Sequence, residues 1–209
     1  MNIQKKLLGV VLCGGRSSRM GSDKGMMLSS GESWAGLIYR KLYSLAIPIV
    51  VSVNQDQEVY YQSVFGKNML VKDSYQIPGP LNGLLSVHDQ FPEYDLFVVA
   101  CDLIDIKEDV LKHLYSLYLS DSGLSQNYSY FTEGCFESVC SIYSATTLQQ
   151  LKDDWKDGKV TDFSLQHLLQ QSDTCPVQIP PFFNYCFENY NYQEQVEKRR
   201  MSGSEFTEL

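Results

Sequence analysis

Leu12-Cys13-Gly14-Gly15-Arg16-Ser17-Ser18-Arg19-Met20-Gly21-Ser22-Asp23-Lys24 follows directly on the apolar run Gly9 to Leu12. Two adjacent glycines after a buried strand let the backbone turn sharply and leave amide N–H groups facing anionic oxygens. The spacing fits neither familiar phosphate loop. A Walker loop puts four residues between its glycines and then Lys-Ser/Thr, whereas five separate Gly15 from Gly21 and Ser22-Asp23 follow. A dinucleotide fingerprint needs G-x-G-x-x-G, and Arg16 stands where its second glycine belongs. What is left is a longer loop with two cations, Arg19 and Lys24, suited to a triphosphate whose charge must be neutralised. A plain β–α turn with solvated basic residues has the same composition.

Outward from this loop, short apolar runs alternate with segments of helical period. Gly9 to Leu12, Ile47 to Val53, Met69 to Val71 and Leu96 to Ala100 read as parallel strands covered on both faces. Trp34 to Leu45, Leu81 to Val87 and Val110 to Leu119 read as the crossover helices between them. The expected fold is α/β: a three-layer α/β/α open, mostly parallel sheet. Its ligand should lie beyond the carboxyl ends of the strands, where strand order reverses. Past residue 120 the sequence predicts an antiparallel hairpin, Tyr128 to Phe131 and Phe136 to Ile142, turning at Glu133-Gly134. Helices over Thr146 to Trp155 and Leu165 to Gln171 and a strand at Val177 to Ile179 complete this half. Residues 1–200 thus read as one domain, with a nucleotide-binding half (1–120) and an acceptor-binding half (121–200), and 201–209 as a disordered tail.

Composition narrows the partners. With 17 Lys plus Arg against 25 Asp plus Glu in 209 residues, the formal charge is −8, and the one dense basic run is Lys198-Arg199-Arg200. That excludes a partner held by phosphate charge along its length, as a nucleic acid is. Apolar residues make up 44% of the chain, enough for a core without staples. The six Cys form no C-x-x-C pair and read as reduced cytosolic thiols, with Cys135 and Cys140 packed in strands. Lys5-Lys6 before Leu7 to Leu12 imitates a secretion signal, but the apolar stretch is too short and reads as a first strand. No run approaches the roughly 18 apolar residues of a membrane span. His88, His113 and His167 are far apart in helical stretches and read as surface or partly buried spectators.

Two carboxylates join the loop. Asp102 ends the strand Leu96 to Ala100, at the rim where a carboxylate could bind Mg2+ together with substrate phosphates and water. A cap on the following helix or turn is the alternative. Asp73 precedes Pro78-Gly79-Pro80-Leu81-Asn82-Gly83, a rigid turn into the next helix, and could accept hydrogen bonds from a purine or a sugar.

Leu12-Cys13-Gly14-Gly15, Arg19-Met20-Gly21, Asp23-Lys24-Gly25, Asp73-Ser74, Pro78 to Gly83 and Cys101-Asp102 together resemble the molybdenum cofactor guanylyltransferase family, nucleotidyltransferases of Rossmann-like, glycosyltransferase-A-like fold. The resemblance covers roughly the first half of the chain. It implies transfer of GMP from GTP to the terminal phosphate of molybdopterin, with pyrophosphate released and Mg2+ as cofactor. It also implies that Leu12, Cys13, Gly14 and Gly15 line the nucleotide, that Lys24 contacts its phosphates, that Asp73 holds the nucleoside beside Ser52 and Gly79, and that Asp102 binds the metal. Arg19, Lys24 and Asp102 form the implied catalytic set, and cofactor-delivery proteins and molybdoenzyme chaperones are the implied further partners. The chain departs from the family at Cys13 (usually Ala), at Ser52 (often Asn) and at Phe182-Phe183-Asn184-Tyr185-Cys186, where Asn184 survives as the acceptor candidate and Cys186 replaces a second Asn. A nucleotidyltransferase using CTP or another phosphorylated acceptor, and a nucleotide-binding module without catalysis, stay open on the sequence.

Overall fold

Every residue of strand β1 (Leu7–Leu12) is buried, and its side chains part with period two onto separate cores. Leu8, Val10 and Leu12 enter one; Leu7 and Val11 enter the other. Coverage on both faces is why the strand reads as an unbroken apolar run. The computed structural model describes residues 6–14, 23–121 and 125–187.

After β1 come a two-stranded antiparallel ribbon, β2 (Leu28–Ser29) with β3 (Glu32–Ser33), and helix α1 (Trp34–Tyr43). There follow β4 (Ile49–Val53), α2 (Glu58–Phe65), β5 (Leu70–Lys72), α3 (Leu81–Gln90), β6 (Asp95–Ala100) and α4 (Glu108–Ser120). The hairpin β7 (Asn127–Thr132) and β8 (Cys135–Tyr143), then α5 (Ala145–Lys156), α6 (Leu165–Gln171) and β9 (Thr174–Gln178), complete the described elements. Seven strands form one sheet in the order β5-β4-β1-β6-β8-β7-β9. Among them β8 alone runs antiparallel to its neighbours. The predicted hairpin is therefore part of the main sheet. Its two-residue turn, Glu133 (φ 52°) and Gly134 (φ 85°), has the paired positive φ that matches the twist of the flanking strands.

The topology creates the site. From β1 the chain crosses to β4 and β5 on one side, then returns to lay β6 on the other. Strand order thus reverses between β1 and β6, and the segments beyond their carboxyl ends form the switch point at which open α/β sheets bind ligands. The core containing Leu8 and Val10 joins Leu84 and Leu85 of α3, Leu148 of α5 and Leu165 and Leu169 of α6; the other takes Ile38 and Leu42 of α1, Tyr61 of α2 and Leu111 and Leu114 of α4. Serine hydroxyls start three helices by accepting a backbone N–H: Ser33 for α1, Ser144 for α5 and Ser164 for α6.

The differences from expectation have local causes. Helix α2 carries Val59, Tyr60 and Val64 exposed and buries only Tyr61, so its pattern gives no helical stripe. The last strand begins earlier than the apolar signal because Pro176 interrupts it, as an edge strand allows. His88 is fully buried beside Gln149. All six cysteines are free, Cys140 buried and Cys135 exposed at the hairpin. Among the described residues no helix is long and apolar enough to cross a membrane. The expected tail lies outside the described residues.

At Gly83, in the first turn of α3, an added Cβ would lie 2.5 Å from Ser52 Oγ and 2.7 Å from Leu12 Cδ1. Alanine would gain at most about 1 kcal/mol of helix propensity there. Overpacking against a buried strand costs about 1–3 kcal/mol and wins. Gly83→Ala should therefore lower the urea midpoint, and adding Ser52→Ala should recover part of the loss. A midpoint at or above wild type for Gly83→Ala alone would contradict this packing.

Candidate active site at the switch point

The two loop ends meet through charge. Lys24 Nζ donates to Asp102 Oδ2 at 3.0 Å, joining the segments that follow β1 and β6, with each side chain about 19% exposed. Asp102 follows β6 directly through Cys101, whose N–H donates to Leu12 O at 3.1 Å and so extends the β1–β6 ladder to the rim. Lys24 opens a short 3-10 turn, Lys24–Met26, capped by Asp23, whose Oδ1 accepts the Gly25 N–H at 2.9 Å.

Beneath this pair lies a buried polar cluster. Gln57 Nε2 donates to Cys13 O at 3.0 Å and to Asp23 Oδ2 at 2.6 Å, and the Tyr61 hydroxyl donates to Asp23 Oδ1 at 2.7 Å. Burial first, and then the neighbouring thiols and Asp23, keep the Tyr61 phenol protonated, so it remains a donor. Cys101 is held in its thiol form by its hydrogen bond with Cys13 and by burial. The sequence assigned no role to Asp23, Gln57 or Tyr61. The one signal available was Asp23 two residues before Gly25, the spacing of an Asx turn.

The second part of the site is acidic. Asp73 leaves the end of β5 beside Gly14: a Cβ on Gly14 would stand 3.2 Å from Asp73 Oδ2, so a side chain there would crowd the carboxylate. Asp73, Asn54, Tyr75, Pro78, Gly79 and Asn82 line a cleft of about 680 Å3. Asn82 fixes its wall, donating to Tyr75 O at 2.6 Å and accepting from Tyr75 N at 3.1 Å. Gly79, at φ 77°, supplies the left-handed turn between the two prolines. Asp73 Oδ1 has no hydrogen-bond partner among the described residues, and burial pushes this carboxyl up from 3.8 to about 6.

The remaining predicted residues divide. Gly14, Lys24, Asp73, Gly79 and Asp102 come to the carboxyl rim. Leu12 turns its side chain under α3, and its carbonyl is taken by Cys101. Cys13 gives its N–H to Ser52 O and its carbonyl to Gln57. Ser52 is wholly buried behind Gly83, so it backs the rim without lining it. Asn184 is exposed on the 3-10 segment Pro181–Phe187, which is anchored by Cys186 and Phe187 in the α1/α4 core, and it is not among the described residues that line the cleft. Gly15 and Arg19 lie outside the described residues.

The Asp73 shift has a signed consequence. The fold favours the protonated acid, so Asp73 contributes stability below about pH 4 that is lost as pH rises through about 6. Relative to Asp73→Asn, the wild-type urea midpoint should fall across that window and level off above it. Parallel pH profiles for the two proteins would show that Asp73 is solvated.

Comparison with known proteins fits this geometry. A molybdenum cofactor biosynthesis bifunctional protein of Synechocystis is 28% identical over 147 residues, 70% of this chain but 41% of that protein, so the chain spans under half of that relative. A molybdenum cofactor guanylyltransferase of Pseudomonas paraeruginosa is 27% identical over 161 residues, 77% of this chain and 78% of the relative. The crystal structure of molybdopterin-guanine dinucleotide biosynthesis protein A from Archaeoglobus fulgidus superposes with a TM-score of 0.72 over 96% of this chain and all of that one; at 16% identity the likeness is one of fold. The family of MobA-like NTP transferase domains matches residues 9–174, from the middle of β1 to the start of β9, and this nucleotidyltransferase chain belongs to it.

Proposed function

We propose that this protein transfers GMP from GTP to the terminal phosphate of molybdopterin, forming the guanine dinucleotide and releasing pyrophosphate. The observation that carries the reading is the meeting of Lys24 and Asp102 at 3.0 Å beyond the carboxyl ends of β1 and β6. The name of the Pseudomonas paraeruginosa relative supports the choice of substrates. An oxygen of the acceptor phosphate attacks the α-phosphorus; the new P–O bond forms as the α–β bond breaks and pyrophosphate leaves with the bonding electrons. Lys24 takes the charge of the phosphates, assisted by Arg19. Little covalent work falls to the protein in such a displacement, so placement and charge supply the acceleration.

Asp102 is the residue that would hold Mg2+. Among the described residues no group of three or more His, Cys, Asp or Glu side chains assembles a metal cage. A single carboxylate suits Mg2+, which takes most of its oxygens from substrate phosphates and water. When bound, the ion neutralises phosphate charge.

The cleft beside Asp73 is the nucleoside side. Lys24 does not line it, while Asp56 and Asp73 do, so it suits hydrogen-bond donors better than phosphate. Guanine offers adjacent N–H and amino donors that one carboxylate accepts together, and ribose hydroxyls donate likewise. Binding there pairs the orphan Oδ1 and lowers the carboxyl's affinity for its proton. On the acceptor side the reading rests on Asn184.

Lys24→Ala and Asp102→Ala should each lower kcat/KM for pyrophosphate release from GTP with molybdopterin by roughly 10²–10³-fold, as loss of a charge-stabilising group does. EDTA should abolish turnover and Mg2+ restore it. Unchanged turnover in both variants would remove the mechanism. Among the four common nucleoside triphosphates GTP should be preferred, with the preference weakened in Asp73→Asn; a preference for CTP would reassign the substrate.

A further inference from the structure

We infer that helix α2 is the positioning element of the phosphate-binding turn, with Gln57 and Tyr61 fixing Lys24 in place without touching substrate. The inference rests on the nucleotidyl-transfer reading above and extends it to residues distant in sequence. Asp23 and Gly25 flank Lys24, and α2 grips both. Asp23 uses Oδ1 for the Tyr61 hydroxyl and the Gly25 N–H, and Oδ2 for Gln57 Nε2. At Gly25 an added Cβ would stand 2.0 Å from the Tyr61 oxygen, so the turn lies flat against the helix.

Gln57 also ties this turn to β1. Its Nε2 donates to Cys13 O as well as to Asp23, so one amide group spans the two described ends of the glycine-rich stretch. The amide cannot exchange its ends without loss. Its Oε1 accepts the Asn54 N–H at 2.8 Å, and Asn54 Oδ1 accepts the Gln57 N–H at 3.0 Å. Gln57 is 6% exposed and Tyr61 fully buried, so neither can reach a ligand directly. Three donors satisfy the Asp23 carboxylate. A turn already ordered in the free protein spares the nucleotide the cost of ordering it.

The test uses the full chain with Gln57→Met, Tyr61→Phe and Asp23→Ala, singly and combined, well below their unfolding temperatures. Each single variant should raise KM for the nucleoside triphosphate on the order of ten- to hundredfold, the range for hydrogen bonds to a charged group, with kcat changed far less. In the Asp23→Ala background Tyr61→Phe should add almost nothing, because the hydroxyl acts through Asp23, whereas Gln57→Met should keep only the part of its effect that runs through Cys13 O. A merely structural role would lower the melting temperature, leave KM alone and add in the double variants. Unchanged KM, or a Tyr61→Phe effect that multiplies in full in the Asp23→Ala background, overturns the inference; if Gln57→Met does not fold, Tyr61→Phe decides alone. Calorimetry on the wild type separates this from failure of the underlying reading. A wild type that binds no nucleoside triphosphate ends both, whereas binding without pyrophosphate release ends the transfer reading and leaves the variants to be compared by Kd.

Discussion

An ammonium and a carboxylate held at 3.0 Å, each mostly withdrawn from water, are the contact around which this molecule is organised. At that depth the Coulomb attraction between Lys24 and Asp102 is appreciable, but desolvation offsets much of it, so the pair contributes little to stability. Its value lies in placement. Asp102 is fixed by the β1–β6 ladder and Lys24 by a capped turn, and an arriving anion or cation finds its counterpart already oriented. Everything that sets the separation of the two groups, from the strand order to the Asp23 cap, serves that geometry.

The site has two chemically distinct floors on one rim. At Lys24 a cation is paired with the Asp102 carboxylate above the hydrogen bonds of Asp23, Gln57 and Tyr61. At Asp73 one carboxylate oxygen has no hydrogen-bond partner among the described residues, and burial raises the carboxyl's affinity for its proton. A fold keeps such an orphan at a cost, and a ligand donor that pairs it recovers that cost. On the function proposed above, this contrast sets the phosphates at one floor and the base and sugar at the other.

Much of this was legible in the chain. Buried parallel strands announce themselves as continuous apolar runs, and β1, β4 and β6 were found for that reason. Gly14, Asp73 and Asp102 could be placed at the rim because a strand's end is readable wherever its apolar run stops, and Lys24 because it is a cation of the loop that follows β1. The rest was hidden by physical causes. Helix α2 is nearly as apolar outside as in, so periodicity could not declare it. Gln57 and Tyr61 act through contacts 34 and 38 residues away in sequence, which no local pattern encodes. Ser52 stands at the end of β4 as expected, but the pleat turns it inward against Gly83, one residue's phase away from the rim.

The flanks of the sheet bear on how this protein behaves in a crowd. An open sheet offers unpaired backbone along both borders, a template for joining strand to strand into fibres. Here one border, β5, is three residues long, and the other, β9, carries Pro176, which has no N–H to lend a newcomer. Both borders are thereby poor templates for a further strand, which opposes growth of the sheet into a ribbon.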